Sequence, residues 1–272
     1  MSQNTALLVV STMEQAVATV PAALKVASQN QLRLRIVLAH PSPIDIQNTL
    51  ALLGLLKEDV LISQGTYSVH DPSSLTQWLG DLISRQKPAL LMVPAGTAFG
   101  DVCDKISERH QLPLAIVERD LPATRALIHA NSELTTFLER QTPYIPPTHK
   151  IVVIWARSGQ YTQDQFHKTG AVLLKLVEEL DVSILYPVRM DSAIQQGLYQ
   201  NIRWHEHIHL LEPLEHLAFI HLLSRADLVI SRSSAVANEA KEMGCPLVTG
   251  DSVENTLENL EQRVKAIIAG GG

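Results

Sequence analysis

Short, mainly apolar runs alternate along the chain with longer stretches whose apolar positions return at helical spacing. Residues 6–11 form the first run, and 12–30 follow it with helical periodicity. Residues 32–39, 59–63, 88–93 and 114–117 read as further strands, separated by helical patterns over 44–56, 71–86 and 98–111. Asp71-Pro72 is a strong helix start, because it sets a side-chain acceptor before the first turn and a proline where an N–H would lack a partner. Strands that are apolar throughout, rather than at every second position, belong in a parallel sheet with helices on both faces. Residues 142–149, with Pro143, Pro146 and Pro147, interrupt the alternation and read as a semi-rigid linker. Alternation then resumes with strands over 150–155 and 182–186, a helix over 163–180, and a final strand and helix over 247–249 and 253–268. The expected fold class is α/β, with Rossmann-like parallel-sheet lobes over 1–141 and 150–272. Two such lobes would bind ligands in an interdomain cleft at the carboxyl ends of their strands.

The most informative stretch is 206–246, which reads as strand, loop, helix, strand, sharp turn, helix and a Gly244-Cys245-Pro246 step into another strand. Residues 226–230 are its buried strand, and Ser231-Arg232-Ser233-Ser234 stands at that strand's carboxyl end. The small hydroxyl residues suit the cap of a helix starting near Ala235 and would leave its first amides pointing outward. Free N–H groups and the helix dipole make such a terminus an anion site. Glu239 follows about one and a half turns into the helix, within reach of a sugar if a phosphate sits at the turn.

These residues resemble the C-terminal half of the non-hydrolysing UDP-N-acetylglucosamine 2-epimerases, a family with a GT-B-like fold. The family pattern Leu-x-x-Pro-Leu is similar to Leu210-Leu211-Glu212-Pro213-Leu214 here, and Ala-Asp-Leu-Val is matched by Ala226-Asp227-Leu228-Val229. The motif serine is Ser233, its two glycines are Ser234 and Ala235, and the Glu-Glu-Ala end is Asn238-Glu239-Ala240. More faintly, residues 10–16, 87–93, 112–118, 155–157 and 186–189 resemble the family's other strand ends. The resemblance implies a GT-B-like pair of lobes and a UDP or UDP-sugar ligand, with no cofactor and no metal. It assigns phosphate to Ser233 and Ser234 at the helix start, ribose to Glu239, and positive charge to Arg157 or Arg232. Guanidinium matches phosphate oxygens bidentately, so Arg232 would compensate for the acidic residue that the family carries there.

The family reaction eliminates UDP with loss of the sugar C2 proton and re-adds it with opposite configuration, which requires an acid and a base. By the same alignment the family's phosphate-side Arg is Met13, its acidic residue after the fourth strand is Gly96, and its second-lobe His is Ala156. The loop carrying a further family glutamate is missing between Leu121 and Asn131, and the last strand-and-helix return is cut short. The resemblance therefore implies a UDP-sugar or nucleotide-diphosphate binder, with several replaced family positions weighing against efficient epimerisation. Glu118, at a strand's carboxyl end where catalytic carboxylates collect, is the candidate for relocated catalysis in an active epimerase or glycosyltransferase; otherwise it is a solvated charge. A non-catalytic scaffold is the remaining alternative, and the family's dimers leave a homodimer open to this chain. Two tandem stress-protein-like domains share the alternation, but the chain lacks their glycine-rich nucleotide loop.

Composition narrows the partners. A net charge of −6 over 272 residues argues against nucleic acid or an anionic membrane. No apolar run approaches the length of a membrane span, and the N-terminus lacks a leader-like pattern, so a soluble cytoplasmic protein is expected. His205, His207 and His209 would share one face of a strand, but no carboxylate or cysteine completes a metal set, and an exposed or interdomain strand face is the preferred reading. His216 and His221 fall on the following helix, His221 packed toward the sheet. Cys103 and Cys245 form no metal or disulfide pattern and read as packing residues.

Overall fold

The computed structural model describes residues 4–29, 32–40, 43–62, 71–97, 100–155, 163–188, 198–199, 202, 205–231, 233–249, 262 and 264–268. Contacts divide the chain into two compact units, Met1–Asn131 and Ser132–Gly272. The first unit contains β1 (Asn4–Val10), α1 (Met13–Ala27), β2 (Leu32–Leu38), α2 (Pro43–Leu52), β3 (Val60–Ile62) and α3 (Pro72–Gln86). It continues through β4 (Leu90–Pro94), α4 (Gly100–His110), β5 (Leu114–Val117) and α5 (Leu121–Ala130). Its five strands are all parallel, in the order β3-β2-β1-β4-β5. Leu7 and Val9 of β1 join Leu75, Leu79 and Ile106 of α3 and α4 in one core layer. Leu8 and Val10 project from the opposite face, as the strand period requires. Both sets are at most 1% exposed, which is why the strand reads as continuously apolar.

Local chemistry sets the helix boundaries. Asp71 caps α3 by accepting the N–H groups of Ser73 and Ser74 at 3.0 and 3.3 Å, with Pro72 opening the helix. The helix expected over 44–56 ends sooner, at Leu52. Gly54 has φ +96°, and the Leu55 N–H turns back to the Leu50 carbonyl at 3.0 Å, a left-handed stop that glycine favours. Residues 121–130, where the sequence resemblance places the missing family loop, form α5. Asp120 caps that helix through Oδ1, which accepts the Ala123 N–H at 2.9 Å, and the Thr124 hydroxyl ties it to the Val17 carbonyl of α1 at 3.0 Å.

The second unit begins with α6 (Ser132–Glu139), upstream of the proline-rich stretch 142–149, which carries neither helix nor strand. β6 (Lys150–Trp155), α7 (Gln163–Glu179), β7 (Val182–Pro187), β8 (Ile208–Leu211) and α8 (His216–Arg225) follow. β9 (Leu228–Ser231), α9 (Ser234–Glu242) and β10 (Leu247–Val248) complete the sheet, and the described residues 264–268 are helical. The sheet is again five-stranded and parallel, ordered β10-β9-β6-β7-β8. Phe166, Leu173 and Leu176 of α7 cover one face together with Val264. Among the described residues, no helix is long and apolar enough to cross a membrane.

Strand order reverses between β1 and β4 in the first sheet and between β6 and β9 in the second, and open α/β sheets bind ligands outside such switch points. Asp227 fastens the amino-terminal end of the second one. Its Oδ2 accepts the Ile151 N–H at 2.8 Å, its own N–H donates to the Ile151 carbonyl at 2.9 Å, and Lys150 Nζ reaches Oδ1 at 3.1 Å. Asp227→Ala is expected to lower unfolding free energy by about 1–3 kcal/mol, because it orphans a strand-end amide. Lys150→Ala, which removes a half-exposed ion pair, should cost no more than about 1 kcal/mol. Urea midpoints of the two variants check the order.

Candidate functional site

The carboxyl ends of β6 and β9 are pinned by one hydroxyl. Ser231, 2% exposed, donates through Oγ to the Trp155 carbonyl at 3.1 Å and accepts the Ser233 N–H at 3.0 Å. That second bond turns the chain so that Ser233 becomes the N-cap of α9, with φ −83° and ψ 121°. The Ser233 side chain makes no capping hydrogen bond. It differs in this from Thr12, Asp71 and Asp120, whose side chains accept first-turn amides of α1, α3 and α5. The expectation that a small hydroxyl would cap this helix is thus not met. Ser231 acts on the turn, and the Ser233 hydroxyl is not used on the first-turn N–H groups.

Glu239 lies on the same helix, 5% exposed overall. Its Oε1 is 3.6 Å from Nε2 of His216, the first residue of α8, with side-chain exposures of 7% and 10%. Such burial of a carboxylate beside an imidazole is costly unless each stabilises the other's charge or dipole. One turn along α8, Phe219 packs on Trp155 with ring centroids 4.2 Å apart. The end of β6, the start of α8 and the first turns of α9 therefore interlock around the switch point.

Ser233, Ser234 and Glu239 are accordingly brought onto one helix of the second unit, with Ser234 exposed and Glu239 buried. Glu118 is an exposed residue of the first unit, just after β5. Arg157 and Arg232 lie outside the described residues, as does Ala156. At the first unit's switch point, Met13 opens α1 and Gly96 turns the chain after β4 with φ +70°. The start of α1 is closed by its own side chains: Thr12 Oγ1 accepts the Gln15 N–H at 3.2 Å, and Gln15 Oε1 accepts the N–H and hydroxyl of Ser11, both at 3.0 Å. Sequence reasoning named His216 without giving it a role and did not single out Trp155 or Phe219. The signal was there in part, since His216 and Phe219 stand three apart on one helical face.

The histidine stretch departs from the expected strand face. β8 begins only at Ile208, and His205 and His207 occupy the turn before it, with the His207 N–H donating to His205 Nδ1 at 3.2 Å. The His207 ring packs edge-on against His149 with centroids 4.2 Å apart, and His149 Nδ1 is 3.1 Å from the hydroxyl of Ser183. His209 alone is in the strand, and its buried Nε2 has no hydrogen-bond partner among the described residues. Burial first, and the neighbouring His207 and His205 next, push its pKa below the ordinary value. Among the described residues no group of three or more His, Cys, Asp or Glu side chains is placed to hold a metal ion. Burial, with Asp104 adding to it, raises the Cys103 thiol to about 12, and burial with Asp227 raises Cys245 to about 11, so neither is a thiolate near neutrality.

A family model described as UDP-N-acetylglucosamine 2-epimerase matches residues 119–270. A protein of Ralstonia nicotianae described as a probable UDP-N-acetylglucosamine 2-epimerase is 26% identical over 176 residues, covering 64% of this chain and 42% of the relative. The match thus spans less than half of that relative's length. The structure of UDP-GlcNAc 2-epimerase from Neisseria meningitidis bound to UDP-GlcNAc superposes with a TM-score of 0.67 at 15% identity, covering 96% of this chain and 91% of that one. The UDP-GlcNAc 2-epimerase of Methanocaldococcus jannaschii superposes with a TM-score of 0.72 at 12% identity, covering 93% and 86%. At these identities the superpositions establish a shared GT-B-like fold, which agrees with the two parallel α/β sheets expected.

The depressed His209 pKa has a measurable consequence. The unfolded chain takes up a proton near the ordinary 6.5, whereas the folded chain resists it. Between the two pKa values the unfolded state binds more protons, so stability is full above about pH 6.5 and falls as pH drops below it. His209→Leu is expected to flatten the decline in urea midpoint between about pH 7.5 and about pH 5.5. An unchanged slope in that variant would contradict this origin.

Proposed function

The chain belongs to the UDP-N-acetylglucosamine 2-epimerase family, and from that premise we propose that its second unit binds UDP or a UDP-sugar without efficient epimerisation. The observation that carries the reading is the start of α9 at the β6–β9 switch point, where Ser233 holds the N-cap position without capping and Glu239 follows on the same helix. The diphosphate accepts hydrogen bonds from the first-turn N–H groups and the hydroxyls of Ser233 and Ser234, and the helix dipole favours its charge. The ribose hydroxyls donate to the Glu239 carboxylate, a charge-assisted pairing. Arg157 and Arg232 supply the cations that a diphosphate requires. The Neisseria meningitidis neighbour, solved with UDP-GlcNAc, supports the ligand class.

The weak point of epimerisation is proton transfer. Removing and returning a C2 proton needs positioned groups with tuned pKa values. Met13, Gly96 and Ala156, at the family's Arg, acid and His positions, carry no titratable group. Gly96 also has φ +70°, so an acidic side chain there would add backbone strain as well as charge. Groups that act as a unit fail together, which makes simultaneous loss decisive. Glu118 is exposed at the carboxyl end of β5 and is the carboxylate on which an active enzyme would rely. Appearance of the C2 epimer or of free UDP from UDP-N-acetylglucosamine, abolished by Glu118→Gln, would establish that second reading.

Calorimetric titration with UDP, UDP-N-acetylglucosamine and AMP tests the binding site. The uridine compounds should bind in the micromolar range, at about −8 kcal/mol, and AMP far more weakly. Ser233→Ala and Glu239→Gln should each weaken UDP binding about tenfold, the loss of one hydrogen bond to a charged group. Unchanged affinity in both folded variants would remove the assignment.

A further inference from the structure

We propose that His216 is a positioning residue for the nucleotide site: it orients the Glu239 carboxylate toward the ribose and so makes the site select ribonucleotides over 2′-deoxyribonucleotides. The inference rests on the ribose role of Glu239 in the preceding reading. A carboxylate turns readily about its terminal torsion, because that rotation has a broad, two-fold profile. To accept two vicinal hydroxyls at once it must be held in one plane. His216 Nε2 approaches Glu239 Oε1 at 3.6 Å, and both side chains are at least nine-tenths buried. Two features set where the imidazole stands, and its ring centroid lies 6.4 Å from that of Phe219. It stands on the first residue of α8, and Phe219, one turn on, is anchored against Trp155 at the end of β6. At 3.6 Å the contact is longer than a hydrogen bond, so in this dry setting it orients the carboxylate through the imidazole's dipole or charge, and contacts of this kind shorten when a ligand closes the site. A ligand lacking the 2′-hydroxyl forfeits one of the two acceptances that the held carboxylate offers.

Calorimetry of the full chain with UDP and 2′-deoxy-UDP tests this. Wild type should prefer UDP by about ten- to hundredfold, and Glu239→Gln should lose most of that preference. His216→Ala should lose it likewise while binding 2′-deoxy-UDP with nearly unchanged affinity, which also shows that the variant is folded. His216→Gln, which keeps an N–H donor, should recover part of the preference. In the double variant His216→Ala/Glu239→Gln the losses should not add, as expected for side chains in contact. Equal weakening of both ligands in His216→Ala, with the preference intact, would make the residue merely structural and overturn the inference. Absence of UDP binding by wild type, or an intact preference in Glu239→Gln, would overturn the ribose assignment itself and the inference with it.

Discussion

Parallel strands buried on both faces can offer a ligand only their ends, and in the second unit the decisive ends are those of β6 and β9. Ser231 joins them: one hydroxyl bonds the Trp155 carbonyl and the Ser233 amide, closing the sheet and aiming α9 together. Asp227 does the corresponding work at the other end of the same strand pair. Between these two fastenings the strands are held by ladder hydrogen bonds and an apolar core. The turn after β9 thus inherits a fixed position from the sheet rather than from its own side chains. That arrangement leaves the Ser233 hydroxyl unspent on the helix, which a cap of the Asp71 or Asp120 kind would not have done.

The same economy does not extend to the first unit. There the α1 start is closed by Thr12, Ser11 and Gln15, and the turn after β4 is a glycine in a left-handed conformation. In the proposed reading, family membership and family chemistry separate in this chain. The two parallel sheets of the fold are present, while by the sequence resemblance the positions of the family's arginine, acid and histidine hold Met13, Gly96 and Ala156. A fold constrains where chemistry can occur, and the side chains decide whether it does.

Much of this was legible before any coordinates. The apolar runs located the strands, because a two-sided parallel sheet leaves a strong local signature, and Asp71-Pro72 marked the start of α3. The 206–246 motif singled out Ser233 and Glu239 as candidates, and both fall on α9 or its N-cap. Other features depended on structure that no local pattern reveals. Gly54 ended α2 early through a left-handed turn. Where the family's glutamate-bearing loop is missing, residues 121–130 form a helix, α5, held by Asp120 and by a hydroxyl reaching α1, which the apolar pattern did not predict. A strand would put His205, His207 and His209 on one face, but a turn occupies 205–207 and the period of two begins only at Ile208. The pairing of His216 with Glu239 joins two helices across a strand, a contact invisible to any periodicity.

The central claim is that the β6–β9 switch point is the nucleotide site, and a crystal structure of the full chain with UDP tests it most directly. The account predicts diphosphate density against the first turn of α9 at Ser233 and Ser234, with the ribose on Glu239. UDP seated in the first unit, or no UDP in well-ordered crystals grown with the nucleotide in large excess, would contradict it.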